Sequence, residues 1–250
     1  MKSSIIRELE YHMLMTTPDK IGILALEETP VRTTQGIMGI HCNTQLHRKK
    51  YRDLVDPKTY REAFKATAGT GRLVAYDHFG STSGDNLIAQ IRYMIKGLGC
   101  TRIVLDHLSI VVSSQEDGGD ERKNIDSIMT KLRQVVQETD VSMFLVSHLR
   151  RASGDKGHED GAEVSLSQLR GSQSIAQLSD AVIALERNQQ AENEKEANLT
   201  RLRVLKSRYT GQTGIATHLW FDPETGRMKE IGDSEAVKIF LSGADEIEEF

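Results

Sequence analysis

Several short apolar runs in this chain end on side chains that can do chemistry. Ile21–Leu26 runs into Glu27-Glu28, Arg102–Leu105 into Asp106, Met143–Val146 into Ser147-His148, and Ala181–Leu185 into Glu186-Arg187. If these runs are parallel strands, an acid pair, a third acid, an imidazole and a guanidinium gather along one sheet edge, where open α/β sheets bind ligands. Carboxylates for a divalent cation, with a base and a cation for phosphate oxygens, are the inventory of a metal-assisted phosphate site. Each residue alone has an ordinary explanation. Aspartate starts turns, a glutamate pair before Thr29-Pro30 opens a solvated loop, and a single histidine is more often structural. Their shared placement at strand ends favours the chemical reading.

The first residues add to this. Lys2-Ser3-Ser4 opens a stretch of helical periodicity. In the phosphate-binding loop G-x-x-x-x-G-K-[ST], backbone N–H groups cradle phosphates, the lysine reaches the outer phosphates and the hydroxyl binds Mg²⁺. Lys2 and Ser3 supply the last two positions of that pattern, and Met1 stands where its second glycine would be.

The elements that must position these groups are legible in the apolar pattern. Leu73–Tyr76 is a further run, and Leu202–Leu205 and His218–Phe221 read as late strands. Continuous rather than alternating runs suit strands buried on both faces, as in parallel sheets. Between them, Ser4–Met15, Gly84–Leu98 and Glu121–Thr139 carry apolar residues at helical spacing. The alternation predicts an α/β sandwich around a mainly parallel sheet, the late strands around Thr210–Gly214 pairing antiparallel at one edge. Ser113–Asp120, Arg150–Glu163 and Asn188–Asn198 read as polar loops.

With 250 residues, 38% apolar and 27% charged, the chain can bury one sizeable core and suits one domain. Its 32 basic and 36 acidic residues, net −4, exclude a globally basic coat for nucleic acid. Two cysteines, Cys42 and Cys100, exclude a disulfide framework and a four-cysteine zinc site. Arg7, Glu8 and Glu10 interrupt the apolar opening, so neither an export signal nor a membrane span of about 20 residues is expected there. From Asp233 to Phe250, six acids face only Lys238, which predicts a mobile acidic tail of net −5 and leaves +1 for the rest.

Long ordered strings then carry a family resemblance: LALEE (24–28), IVLDHLSIVVS (103–113), DERKNIDSIMTKL (120–132), SHL (147–149), LRGSQSIAQLSDAVIALERNQQ (169–190) and LKSRYTGQTGIA (205–216). From Lys2 to about Gly232 the chain resembles the helicase domain of the T-odd phage bifunctional primase–helicase. That domain is one of the hexameric replicative helicases, with Twinkle and the bacterial replicative helicase. The resemblance implies a RecA-like three-layer αβα core, here without the glycine-rich part of the P-loop and the strand before it. It implies a motor domain over 1–232 and an acidic C-terminal tail over 233–250.

Roles carry over by position. Lys2 and Ser3 match the Walker A lysine and the metal-binding hydroxyl, and Asp106 matches the Walker B carboxylate that holds Mg²⁺. Glu27 matches the carboxylate that polarises the attacking water, and His148 the γ-phosphate sensor. Arg208 matches an arginine finger offered to the neighbouring subunit, with Lys206 two residues earlier on the same strand face. Arg187 and Phe221 match residues that sandwich the nucleotide base. Arg150, Arg151 and Lys156, with Arg170 and Gly171, match segments that hold single-stranded DNA, by backbone charge rather than stacking. The implied substrate is a nucleoside triphosphate (ATP or dTTP) with Mg²⁺. The implied partners are single-stranded DNA, a homo-hexameric ring, and a replicative DNA polymerase reached through the tail ending in Phe250. The implied location is the cytoplasm of an infected bacterium. Two other readings remain: a truncated fragment, catalytically impaired, that binds DNA or polymerase, and a RecA-type recombinase ATPase.

Overall fold

The computed structural model describes residues 2–77, 84–108, 121–150, 157–169 and 173–244. The chain divides into two units, one built on residues 2–148 with 224–227, the other on 149–223 with 228–244.

The first unit contains α1 (Lys2–Thr16), β1 (Ile21–Ala25), α2 (Pro30–His41), α3 (Lys49–Arg52), α4 (Pro57–Ala66), β2 (Leu73–Ala75), α5 (Gly84–Lys96), β3 (Arg102–Asp106), α6 (Glu121–Thr139) and β4 (Ser142–Leu145). The strands form one sheet in the order β2-β1-β3-β4, with every pairing parallel. Strand period sorts its two faces. Ile21 and Ile23 of β1 pack with Val104 against Met13, Leu14 and Ile37 of α1 and α2. Gly22, between them, faces Met94 of α5, and a Cβ there would come within 2.8 Å of Ile103 Cδ1. Helices thus cover both faces, as the strand–helix alternation implies. Burying each of these aliphatic side chains contributes roughly 1.5–3 kcal/mol. Thr29 caps α2 by accepting from Arg32 N at 3.3 Å, and Pro30 fits the first turn.

The helices read from periodicity appear at nearly the expected bounds, and β4 pairs only with β3 among the described residues. α2 and α4, each opened by a proline, were not expected.

Inside this layer Glu10 of α1 is buried, and its Oε2 has no hydrogen-bond partner among the described residues. Burial pushes its carboxyl up to about 8; the Arg7 guanidinium opposes this, and the Asp106 and Glu28 carboxylates add to it. The folded chain therefore keeps a proton that the unfolded chain releases, and stability falls as pH rises from about 4.5 towards 8. Glu10→Gln keeps the neutral shape and should remove that part of the fall. Its melting temperature should gain on the unsubstituted chain steadily between pH 5 and 8; a constant difference would contradict a protonated Glu10.

The second unit corrects the expected sheet. β5 (Ala181–Glu186), β6 (Leu199–Ser207), β7 (Gly214–Phe221) and β8 (Met228–Ile231) form a separate antiparallel meander in that order. β5 was expected in the parallel sheet because its run is continuously apolar. In fact Val182, Ala184 and Glu186 are buried while Ile183 is exposed, so an apolar residue on the outer face hid a period of two. α7 (Gln173–Leu178) precedes this sheet, and α8 (Glu194–Ala197) lies between β5 and β6.

The acidic stretch is also not a tail from its first residue. Asp233–Ala244 forms a helix, α9, with Ala236 fully buried and Asp233 Oδ1 3.2 Å from His218 Nδ1. The charge count concealed the apolar residues between the acids. Residues 245–250 lie outside the described residues. No described helix is long and apolar enough to cross a membrane.

Candidate functional site

Parallel pairing brings the carboxyl ends of β1, β3 and β4 level. Ala25 pairs with Asp106, Leu26 N donates to Asp106 O at 2.7 Å, and Val146 N donates to Leu105 O at 2.9 Å. Glu27, Asp106 and His148 therefore emerge from neighbouring strand ends. α1 begins at the same edge. Ser3 Oγ donates to Asp106 Oδ2 at 3.3 Å, and Lys2 Nζ donates to the carbonyl of Ser147 at 3.2 Å. Ser3, Ala25, Glu27, Glu28, Arg32 and Asp106 line an open cleft of about 180 Å³. All five residues expected around a triphosphate in this unit are brought together.

The two adjacent glutamates divide their tasks. Arg7 Nη2 reaches both oxygens of Glu28, at 2.7 and 2.6 Å, and Thr33 Oγ1 donates to Oε2 at 3.4 Å. Gly36 makes room for that arginine, since a Cβ there would collide with the guanidinium. Glu28 is thus committed to holding α1 and α2 against β1. Glu27 lines the same cleft with no such clamp, 57% of its side chain being exposed. This is the physical reason to assign chemistry to the first glutamate of the pair.

The electrostatics suit a charged ligand that is not a protein group. Burial pushes the Asp106 carboxyl upward, the Glu27 and Glu28 carboxylates add to this, and His107 and the Ser3 hydroxyl oppose it. Burial likewise pulls the Lys2 ammonium down, against Asp106 and Glu27. A divalent cation beside Asp106 and a phosphate beside Lys2 would each relieve one of these costs. The hydroxyl and carboxylate oxygens of Ser3 and Asp106 are the hard donors Mg²⁺ prefers, so the residues fit that ion.

One site residue was missed from the sequence. His107, directly after Asp106, places Nε2 2.8 Å from Glu27 Oε1 and lays its ring on that of His148, with centroids 3.8 Å apart. The rule that reads the residue after each apolar run would have found it, had it been carried one position further.

In the second unit, Lys206 Nζ donates to the carbonyls of Ala176, Gln177 and Ser179 at 2.6, 3.2 and 2.9 Å. It closes the C-terminal end of α7, where a cation is favoured. Arg208 donates to Asp180 Oδ1 at 2.9 Å and to Gln177 O at 3.0 Å, so the two bases share one face as expected, and Arg208 is exposed. Lys206 is placed here as an anchor for the segment that presents Arg208. Arg201 and Arg203 both neutralise the buried Glu186, at 3.4 and 2.7 Å. Arg187 and Phe221, expected on either side of a base, lie against each other: the guanidinium is over the ring at 5.7 Å and also binds the Asn198 side chain. A base would have to part them to enter. Arg150 is described, its N–H donating to Gln168 O at 2.8 Å. Arg151, Lys156, Arg170, Gly171 and Phe250 lie outside the described residues.

The chain is similar to known proteins in sequence and in fold. The model of the DnaB-like helicase C-terminal domain matches residues 2–230. A DNA helicase/primase of Enterobacteria phage T3 is 39% identical over 227 residues, which cover 90% of this chain and 39% of that protein. A solved ATPase domain, 19% identical, superposes with a TM-score of 0.74 over 92% of this chain and 81% of its own. A solved DnaB-like replicative helicase, also 19% identical, superposes with a TM-score of 0.67 over 86% of this chain and 51% of its own. The chain thus spans about two fifths of the length of its phage relative.

Proposed function

The chain belongs to the DnaB-like helicase C-terminal domain family, and from that premise we propose that it is the motor of a replicative helicase. It couples nucleoside triphosphate hydrolysis to movement along single-stranded DNA and to unwinding of the duplex. The observation that carries this is the meeting of Lys2, Ser3, Glu27, Asp106 and His148 at one sheet edge. Phosphoryl transfer to water depends on positioning and charge neutralisation more than on covalent help. Lys2 binds the outer phosphate oxygens, Glu27 orients and polarises the attacking water, and His148 contacts the terminal phosphate. Ser3 and Asp106 would hold Mg²⁺, which when bound would neutralise phosphate charge.

The finer assignments extend this reading. Chains assemble as a hexameric ring, so that Arg208 of one serves the nucleotide of the next. Arg187 and Phe221 receive the base. Arg150, Arg151, Lys156, Arg170 and Gly171 hold the DNA backbone in the ring, and the acidic terminus ending in Phe250 contacts a replicative polymerase. The setting is the cytoplasm of a phage-infected bacterium.

The test is DNA-stimulated hydrolysis, measured with the glycine-rich half of the phosphate loop joined ahead of Lys2. Single-stranded DNA should raise turnover, and that stimulation should fall steeply with added salt because phosphate contacts dominate. Lys2→Ala should abolish turnover. Hydrolysis indifferent to both DNA and Lys2 would overturn the proposal.

A further inference from the structure

Between the water-activating carboxylate and the phosphate sensor sits a side chain to which the reaction as described gives no task. His107 is buried at the end of β3, with 6% of its side chain exposed. Its Nε2 lies 2.8 Å from Glu27 Oε1, and its ring lies on the ring of His148 at 3.8 Å between centroids, tilted by 35°. Its Nδ1 is buried without a hydrogen-bond partner among the described residues. With Nε2 facing a carboxylate, the hydrogen bonding assigns an N–H to Nε2.

Three strand ends are thus joined in series: Glu27 after β1, His107 after β3, His148 after β4. The Glu27 side chain is long and largely exposed, so left alone it would sample many rotamers. A charge-assisted hydrogen bond from a buried, immobile ring fixes one of its oxygens. That ring is itself in van der Waals contact with His148. A shift of His148 towards a phosphate must tilt or release the His107 ring, and so move the donor that holds Glu27.

We propose that His107 is a positioning residue that links the γ-phosphate sensor His148 to the water-activating Glu27, so that sensing and water activation change together. This rests on the hydrolysis reading above, and the test separates the two. On the chain as it stands, the imidazole resonances of His148 should move when Glu27→Gln is introduced. That displacement should vanish in a His107→Phe background, which keeps a stacked ring of similar size and loses the donor. If Glu27→Gln leaves His148 unmoved, or moves it equally in the His107→Phe background, the link is overturned.

In the form extended ahead of Lys2, His107→Phe should lower kcat at least tenfold and leave KM within about twofold. His107→Gln, whose amide N–H reaches the place of Nε2, should recover most of the loss. Equal kcat in the unsubstituted and His107→Phe forms overturns the positioning role, as does failure of His107→Gln to recover activity. Absence of turnover in the unsubstituted form, with the resonance link intact, overturns the hydrolysis reading instead.

Discussion

In the form extended ahead of Lys2, Glu27→Gln should cut hydrolysis by roughly 10²–10⁴-fold, the usual worth of a positioned general base, while leaving triphosphate binding within a fewfold of normal. The amide is isosteric, but it cannot take up the developing proton of the attacking water. The adjacent residue is the internal control. Glu28 is clamped by Arg7 and Thr33, so Glu28→Gln should lower thermal stability by leaving a nearly buried guanidinium half-paired. Any fall in its turnover should follow lost folding. Hydrolysis and binding of the purified variants, with melting curves, separate the two. Unchanged turnover in Glu27→Gln would remove Glu27 as the water-activating group.

The second large effect belongs to Arg208. An arginine finger supplied by a neighbouring subunit is worth roughly 10³–10⁵ in rate, so Arg208→Ala should nearly silence hydrolysis while sparing nucleotide affinity. The structure gives the arginine a prepared seat. It is exposed and steadied by Asp180 and the Gln177 carbonyl, while Lys206 pins the same turn. On the proposal that Arg208 acts on the next subunit, rings mixed from Arg208→Ala and Glu27→Gln chains should recover turnover that neither variant shows alone. Each seam pairing an intact Glu27 with an intact Arg208 from its neighbour is competent. No recovery across the mixing series would place Arg208 outside the neighbour's site.

Much of the first unit was legible in the sequence, because the cause of each element is local. Periodicity in α1, α5 and α6 and continuous apolar runs in β1, β3 and β4 follow from burial on both faces of a parallel sheet. The strand-end rule then placed Glu27, Asp106 and His148. What escaped depended on contacts between distant residues. Nothing near Glu28 says that Arg7, 21 positions earlier, will claim it. Nothing near His107 says that Glu27 lies within hydrogen-bond reach. Ile183 looked like core because its type, not its facing, was visible, and the helix after Asp233 was hidden by its own charge. The roles of Lys206 and of Arg201 with Arg203 likewise turn on carbonyls and a carboxylate brought in by the antiparallel sheet.

The most direct measurement is a structure of the Glu27→Gln chain, which should retain its nucleotide, with a triphosphate and Mg²⁺. The expected result places the phosphates against Lys2, the metal on the Ser3 and Asp106 oxygens, and the terminal phosphate facing His148. A nucleotide bound on any other face, or a metal held without Asp106, would contradict it.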